Sequence, residues 1–215
     1  CNYILTKMSR DRKDFKDVLK DAQKKGFAEL DPTFDIQGVD AGHKISILSS
    51  LAFNIQIDFK GTYIEGISKI DASDFEFAKE LGYSIKLLAI AAKVGSQVEQ
   101  RVHPCFVRKD SDISKVDNEL NAIVVNDNVI GVNIFEGPGA GAGPTGASVM
   151  SDLMDILRGT CIPPLGSSIK KKKKLKIKKI TDLKFPYYLR ILAKDQSGVM
   201  ASITKLFSYH KISIE

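Results

Sequence analysis

The chain has 215 residues, of which 43% are hydrophobic and 27% charged, a composition that supports a sizeable core and excludes global disorder. No run approaches the ~18 apolar residues of a membrane span, and the first residues lack the basic and apolar regions of a secretory signal. Eight lysines between residues 170 and 179 account for the net charge of +6, and the rest of the chain is slightly acidic, which argues against a basic, nucleic-acid-binding body.

Two helices and a polar loop are predicted at the start of the chain. Apolar residues at i, i+3, i+4 and i+7 from Phe15 onward favour a helix that ends near Gly26. A polar loop over residues 29–35 contains a proline and separates this helix from the next. A second helix is predicted over residues 38–52. Its inward-facing residues are expected to be Ile45, Leu48 and Ala52.

Strands and helices alternate through the rest of the main body. The predicted strands lie at 54–59, 83–93, 97–107, 122–125 and 129–135, and the predicted helices at 74–81 and 145–158. The last two strands flank Asn126-Asp127-Asn128, which predicts a hairpin turn. Consecutive antiparallel strands with helices between them indicate an α+β fold, in which helices cover a mixed or antiparallel sheet.

Beyond residue 160 the pattern changes to a linker and a short tail. Prolines, serines and the lysine run predict a linker over residues 161–184. The tail, residues 185–215, predicts a strand, a helix and the start of another strand, at 188–193, 200–209 and 212–214. Because so short a βαβ unit cannot bury both faces of its sheet, we expect it to be incomplete.

A group of acidic residues with one lysine is the first candidate site. Glu29, Asp31 and Asp35 lie in the polar loop, and Asp40 and Lys44 are four residues apart on the predicted helix, hence on one face. An isolated surface pair of this kind contributes only ~0.3–0.5 kcal/mol. As a site, carboxylates around an ammonium group favour its charged form, which suits a proton donor, and they also suit the ammonium group of a substrate.

The glycine-rich segment 137–146 is the second candidate. It contains a formal GxGxxG pattern at Gly141, Gly143 and Gly146. The preceding strand belongs to a hairpin, however, and the acidic residue that a dinucleotide fingerprint needs about 20 residues later is missing. Glycines allow a ligand to approach the backbone closely; the alternative is a tight turn before a helix.

The lysine run, the cysteines and the histidines point to little further chemistry. The run predicts a solvated linker or a charged edge strand over residues 174–178; nucleic-acid binding through counterion release is a third interpretation, although no aromatic residue interleaves the lysines. Cys1, Cys105 and Cys161 lack the spacing of a disulfide framework or a zinc site, and the three histidines lack metal-ligand spacing. We therefore expect no metal and a reduced, cytoplasmic compartment.

One long segment carries a family resemblance. Residues 26–44, GFAELDPTFDIQGVDAGHK, closely resemble the substrate-site segment of homoserine dehydrogenases. Residues 2–8 look like the segment that follows the Asn-Gly-Thr turn of this family, and residues 137–145 resemble its later glycine loop. The tail from Tyr187 resembles the opening half of an ACT domain, a small ligand-sensing module of ferredoxin-like fold.

The resemblance implies a domain order. Residues 1–160 would form the catalytic, substrate-binding and dimerisation domain, residues 161–184 a linker and residues 185–215 a partial ACT domain. Nothing in the sequence corresponds to the family's N-terminal Rossmann domain. We therefore expect a fragment, truncated at both ends, that is inactive by itself.

The resemblance also implies a reaction. Homoserine dehydrogenases interconvert L-homoserine and L-aspartate 4-semialdehyde with NAD or NADP, a step in threonine and methionine biosynthesis. The positions that match the family's functional residues are Lys44 and Asp40 for catalysis, Glu29 and Asp35 for substrate binding, and Gly139 and Gly141 for contact with the cofactor.

The resemblance implies two partners, the substrate and a second copy of the chain. It implies binding to neither nucleic acid nor a membrane. The apolar strands predicted at 83–93 and 97–107 are candidates for the homodimer surface. An alternative interpretation is a regulatory module that senses an amino acid through its ACT-like tail and catalyses nothing.

Overall fold

The computed structural model describes residues 1–160, 163 and 165–214. Cys161 and part of the predicted linker therefore lie outside the described residues. The chain divides into two units, Cys1–Lys184 and Phe185–Glu215.

A long hairpin forms the centre of the sheet in the first unit. The strands of this sheet are β1 (Tyr63–Ile64), β2 (Tyr83–Val94), β3 (Gln97–Arg108) and β6 (Lys176–Ile177). β2 and β3 form the hairpin and pair antiparallel over their whole lengths, on either side of a turn in which Gly95 has a φ of 61°. β1 and β6 both pair parallel with β3, on the edge that β2 leaves free.

Helices pack against this hairpin and form the core with it. The five helices that precede or contact β2 and β3 are α1 (Asn2–Asp11), α2 (Phe15–Lys24), α3 (Thr33–Ile36), α4 (Val39–Phe53) and α5 (Ala72–Glu80). Leu5, Val18, Ile67 and Phe75 are buried in one cluster with Ile85 of β2. Burial of such side chains contributes about 1.5–3 kcal/mol each. α5 begins with a reciprocal capping box between Asp71 and Asp74.

A second hairpin and its following helix complete the first unit. β4 (Leu120–Asp127) and β5 (Gly131–Pro138) pair antiparallel, and α6 (Ala142–Leu157) follows after three residues. Their apolar side chains are largely exposed: Phe135 of β5 by 63% and Leu157 of α6 by 80%. This hairpin matters for the site because it carries the glycine loop.

The structure confirms most predicted elements. The helices at 15–24, 38–52 and 74–81, both hairpins and the helix after the glycine loop are present, with the last beginning at Ala142. The prediction of a strand over residues 54–59 was wrong: Ile55 forms only an isolated bridge to Lys173, because β1 and β6 already occupy that edge of β3. α1 and β1 were not predicted.

The second unit contains α7 (Val199–Tyr209), as predicted. The segments 188–193 and 212–214 were expected to be strands, but in the described residues they pair with no strand. A strand requires a neighbouring strand for its backbone hydrogen bonds. Among the described residues, the βαβ pattern of the tail is therefore represented by its helix.

Candidate functional site

Local backbone chemistry places the acidic loop. Asp31 Oδ1 accepts a hydrogen bond from the Thr33 N–H at 3.1 Å, which starts α3. The hydrogen bonds from Thr33 lower the pKa of Asp31 below its usual value. After α3, Gly38 adopts a φ of 77° and begins α4, a conformation that costs glycine little. The turn thus sets α3, with Asp35, directly before α4.

Lys44 and Asp40 form an ion pair on α4. The Lys44 Nζ lies 2.7 Å from Asp40 Oδ2, and the two side chains are 66% and 37% exposed. The spacing of four residues predicted this contact. Lys44 is therefore held by a carboxylate while its amine stays accessible to a small molecule.

Cys1, which immediately precedes α1, lies beside this pair. Cys1 Sγ donates to the backbone oxygen of Asp35 at 2.9 Å. The backbone nitrogen of Cys1 lies close enough to Asp35, Asp40 and Lys44 to be influenced by the charge of each. Three of the residues predicted for catalysis and substrate binding therefore lie within electrostatic reach of one point, at the N-terminal end of α1.

Glu29 lies in the loop between α2 and α3. Its side chain is exposed, and the described contact is made by its backbone oxygen, which accepts from Gln23 Nε2 at 2.9 Å. The same amide donates to Leu30 O at 3.1 Å. The Gln23 side chain of α2 thus holds the loop by two of the loop's backbone oxygens. The exposed Glu29 carboxylate stays accessible to a ligand.

The two glycines predicted to meet the cofactor differ in their surroundings. A Cβ on residue 139 would lie 2.1 Å from Asn121 Nδ2, so the exposed Asn121 side chain would have to move. Gly141 has a φ of 108° and stands at the N-terminus of α6, where free N–H groups face outward. The turn-before-helix interpretation thus explains Gly141, and the open space beside it also permits close approach by a ligand.

Asn2 connects the acidic region to the glycine loop. Its Nδ2 donates to the carbonyl oxygens of Val116 at 3.0 Å and Leu120 at 2.8 Å. Leu120 begins β4 and pairs with Pro138, next to Gly139. Sequence reasoning missed this bridge, because nothing in the pattern reveals that residues 2 and 120 meet.

A stack of three aromatic rings lies beside Lys44 and was also missed. The centroid of the His43 ring lies 3.9 Å from the ring centroid of Phe59 and 5.6 Å from that of Phe34, and the three rings are nearly parallel. Phe34 precedes Asp35, so the stack joins α3 to α4 at the acidic group. The spacing of Phe34 and His43 gave no signal, since the contact depends on the turn at Gly38.

The described part of the chain shows neither a cluster of metal ligands nor a membrane-spanning helix. Among the described residues, no three His, Cys, Asp or Glu side chains converge as a metal site. Within those residues, too, every helix is too short or too polar to span a bilayer.

Comparison with known proteins adds an independent finding. The sequence model of the homoserine dehydrogenase family matches residues 1–154. The homoserine dehydrogenase of Neisseria gonorrhoeae is 42% identical over 220 residues, which cover 100% of this chain and 51% of that protein. That of Helicobacter pylori is 45% identical over 213 residues, which cover 99% and 50%. The chain spans about half the length of these curated relatives.

Solved structures agree. A homoserine dehydrogenase from Thiobacillus denitrificans superimposes with a TM-score of 0.84 at 37% identity, over 100% of this chain and 51% of that one. A hyperthermophilic archaeal homoserine dehydrogenase in complex with NADPH gives a TM-score of 0.55 at 27% identity, over 74% and 45%. Fold and sequence agree, and the chain belongs to the homoserine dehydrogenase family.

Proposed function

We propose that this chain is the substrate-binding half of an enzyme that interconverts L-homoserine and L-aspartate 4-semialdehyde with NAD or NADP. The observation that carries the proposal is the Lys44–Asp40 pair, 2.7 Å apart, beside Asp35 at the N-terminal end of α1. An accessible amine held by carboxylates is the group that this reaction needs at the substrate oxygen.

Lys44 serves as the proton donor and acceptor. When the aldehyde is reduced, negative charge develops on its oxygen, and a neighbouring ammonium group stabilises that charge and then transfers a proton to it. In the oxidation of homoserine, the same nitrogen accepts the hydroxyl proton. Asp40 orients the Lys44 amine by the contact along α4. Glu29 and Asp35 hold the substrate's ammonium group, which fixes its position relative to Lys44.

The nicotinamide cofactor supplies the hydride acceptor or donor when bound. The open space beside Gly141 fits this group, because among the described residues only the Pro144 ring, at 3.9 Å, lies near the place of a Cβ. Gly139 and Gly141 would meet the nicotinamide half of the cofactor, whereas the GxGxxG pattern lacks the neighbouring features that hold a pyrophosphate. A dinucleotide-binding half is required in addition, so residues 1–215 are expected to be inactive alone.

The domain division and the assembly belong to the same proposal. Residues 1–160 form the catalytic and dimerisation domain, 161–184 the linker and 185–215 the first half of an ACT domain, for which α7 is the supporting element. The homodimer forms through the hairpin of β2 and β3, since no described strand covers the outer edge of β2 and its Leu88 and Ile90 side chains are only partly buried. The expected compartment is the cytoplasm.

Turnover is tested in a complete enzyme. Residues 1–215 replace the matching half of the Neisseria gonorrhoeae homoserine dehydrogenase, with which they share 42% identity. Consumption of NADPH with L-aspartate 4-semialdehyde is followed by absorbance. Turnover by this assembled enzyme supports the proposal, and a folded dimer that binds NADPH but leaves the aldehyde unchanged contradicts it.

Substrate binding is tested on the 215-residue chain itself. Calorimetry with L-homoserine is expected to give a signal that Glu29→Gln weakens, because the substrate's ammonium group loses a charged partner. L-threonine is the control ligand. Homoserine binding that is unchanged in Glu29→Gln and Asp35→Asn would instead favour the amino-acid sensor.

A further inference from the structure

We propose that Lys86 is a positioning residue for the cofactor side of the site. It fixes the amide of Asn2 and the turn 116–120, and through them the glycine loop. This inference rests on the proposed function, because it assigns a role in a site for a dinucleotide. Lys86 lies in β2, and no part of the proposed reaction uses its amine.

The Lys86 amine is buried and fully bonded. The residue is only 7% exposed. Its Nζ donates to Asp117 Oδ1 at 2.9 Å, to Asn2 Oδ1 at 3.3 Å and to the backbone oxygen of Val116. An ammonium group has three donors, and here each has an acceptor from outside β2. A buried cation with such partners is costly to leave unpaired and therefore defines one arrangement.

The bond from Lys86 sets the orientation of the Asn2 amide. Since Asn2 Oδ1 accepts from Lys86, its Nδ2 points to the carbonyl oxygens of Val116 and Leu120. The chain from 116 to 120 is also held by the Asn118 N–H, which donates to Thr6 Oγ1 at 3.1 Å. α1 and β2 thus clamp this turn from two sides.

The clamped turn leads directly to the glycine loop. Leu120 pairs with Pro138 in the hairpin register. The Gly139 N–H points to the backbone oxygen of Glu119 at 3.5 Å, and the Asn121 side chain lies where a Cβ of residue 139 would be. The placement of Gly139 therefore depends on the turn that Lys86 holds. The acidic group is attached differently, through Cys1 and Asp35.

The first test is a comparison of kinetic constants in the assembled enzyme described above. Lys86→Met keeps the apolar stem and removes the three bonds. It is expected to raise the KM for NADPH by about tenfold, within the range of up to about 10²-fold that a misplaced site element costs. The KM for the aldehyde is expected to stay within about twofold, because Lys44 and Asp35 are held by other contacts.

Lys172→Met is the matched control. Lys172 is also buried, at 5% exposure, and its Nζ donates to Ser50 O at 2.9 Å, at the far end of α4. Lys172→Met is expected to lower the stability of the fold but to leave the KM for NADPH and the KM for the aldehyde unchanged. A similar rise of the NADPH KM in both variants, or none in Lys86→Met, would overturn the inference.

A second measurement does not depend on turnover. Hydrogen exchange is measured on the 215-residue chain, and Lys86→Met is expected to accelerate exchange in residues 116–121 and at Gly139 while residues 33–44 keep their wild-type rates. Uniform acceleration over both segments would mean a merely structural role and would overturn the inference. If the wild-type assembled enzyme has no turnover, the proposed function has failed, and this exchange pattern still decides the role of Lys86.

Discussion

A Cβ on Gly66 would lie 2.2 Å from the carbonyl oxygen of Ile36, the last residue of α3. The same oxygen accepts a hydrogen bond from the Ile67 N–H at 2.8 Å. The chain after β1 therefore lies against the backbone of α3 at a distance that only glycine permits. Because Asp35 precedes Ile36, this contact helps to place an acidic residue of the proposed site.

Gly66→Ala is expected to displace α3 and to destabilise the fold by about 1–3 kcal/mol, the usual cost of overpacking. The obstacle is backbone, which cannot rotate away as a side chain does. Urea unfolding measures the loss. Gly143→Ala serves as the control, because a Cβ there meets nothing within 4 Å and alanine favours the helix. Equal stability of the two variants would contradict the close contact.

The elements that sequence predicts well are those with a strong local pattern. The helix at Phe15 and the hairpin of β2 and β3 follow from periodicity and from a turn at Gly95. α4 was placed correctly, with Ile45 buried as predicted and Leu48 half-buried, but Ala52 is exposed, and Ser46 and Ser49 are buried. Each serine hydroxyl bonds to the carbonyl oxygen four residues earlier, which makes a polar residue tolerable in the core.

The site was predictable only where its residues are close in sequence. Lys44 and Asp40 lie four residues apart on one helix, so their pairing follows from helical geometry. The contacts of Lys86 with Asn2 and Asp117 join residues far apart in the chain. No periodicity encodes such contacts, since they result from the way α1 and the turn 116–120 pack around β2.

Lys44→Ala is expected to reduce kcat of the assembled enzyme by about 10²–10⁴-fold, the range for loss of a general acid or base. The side chain is 66% exposed, so the fold should be unaffected, as circular dichroism can verify. Lys7→Ala is a suitable control because Lys7 also pairs with an aspartate four residues away, Asp11. Near-normal turnover in Lys44→Ala would mean that another group transfers the proton.

Two lysines of the run are expected to behave differently. Lys172 is buried and donates to Ser50 O, near the C-terminal end of α4, where positive charge is favourable, whereas Lys174 is exposed. Lys172→Ala should cost about 1–3 kcal/mol, because a buried acceptor loses its donor, and Lys174→Ala should cost almost nothing. Thermal unfolding distinguishes them. Equal effects would mean that the run is solvated throughout, as one interpretation of the sequence proposed.

The uncovered side of the hairpin offers a test of the proposed dimer. Ile85 and Leu87 of β2 pack in the core, so alternation directs Leu88 and Ile90 to the opposite face, where both are only partly buried. Ile90→Asp should convert a dimer to monomer in sedimentation experiments, since an unpaired charge would be buried between copies. Ile57→Asp, at a side chain 47% exposed and outside the hairpin, is the control. A dimer that survives Ile90→Asp must use another surface.

Cys105 provides a prediction about pH. Burial raises the pKa of its thiol to about 11 from an ordinary 9.0, although the charge of Arg101 opposes the shift. The folded state therefore retains this proton at a pH where the unfolded chain releases it. The contribution of this thiol to the free energy of unfolding is fully present below about pH 9 and is lost as the pH rises towards about 11.

Cys105→Ala should accordingly make the free energy of unfolding less sensitive to pH in this window. Urea unfolding of both proteins at about pH 8 and about pH 10 measures the difference, and the comparison cancels the contribution of lysines and tyrosines that titrate in the same range. Alkylation gives a second measure: iodoacetamide should modify folded Cys105 slowly at pH 8, because the thiolate is the reactive form, and rapidly once urea has unfolded the chain. Parallel pH profiles for the two proteins would place the thiol in contact with water.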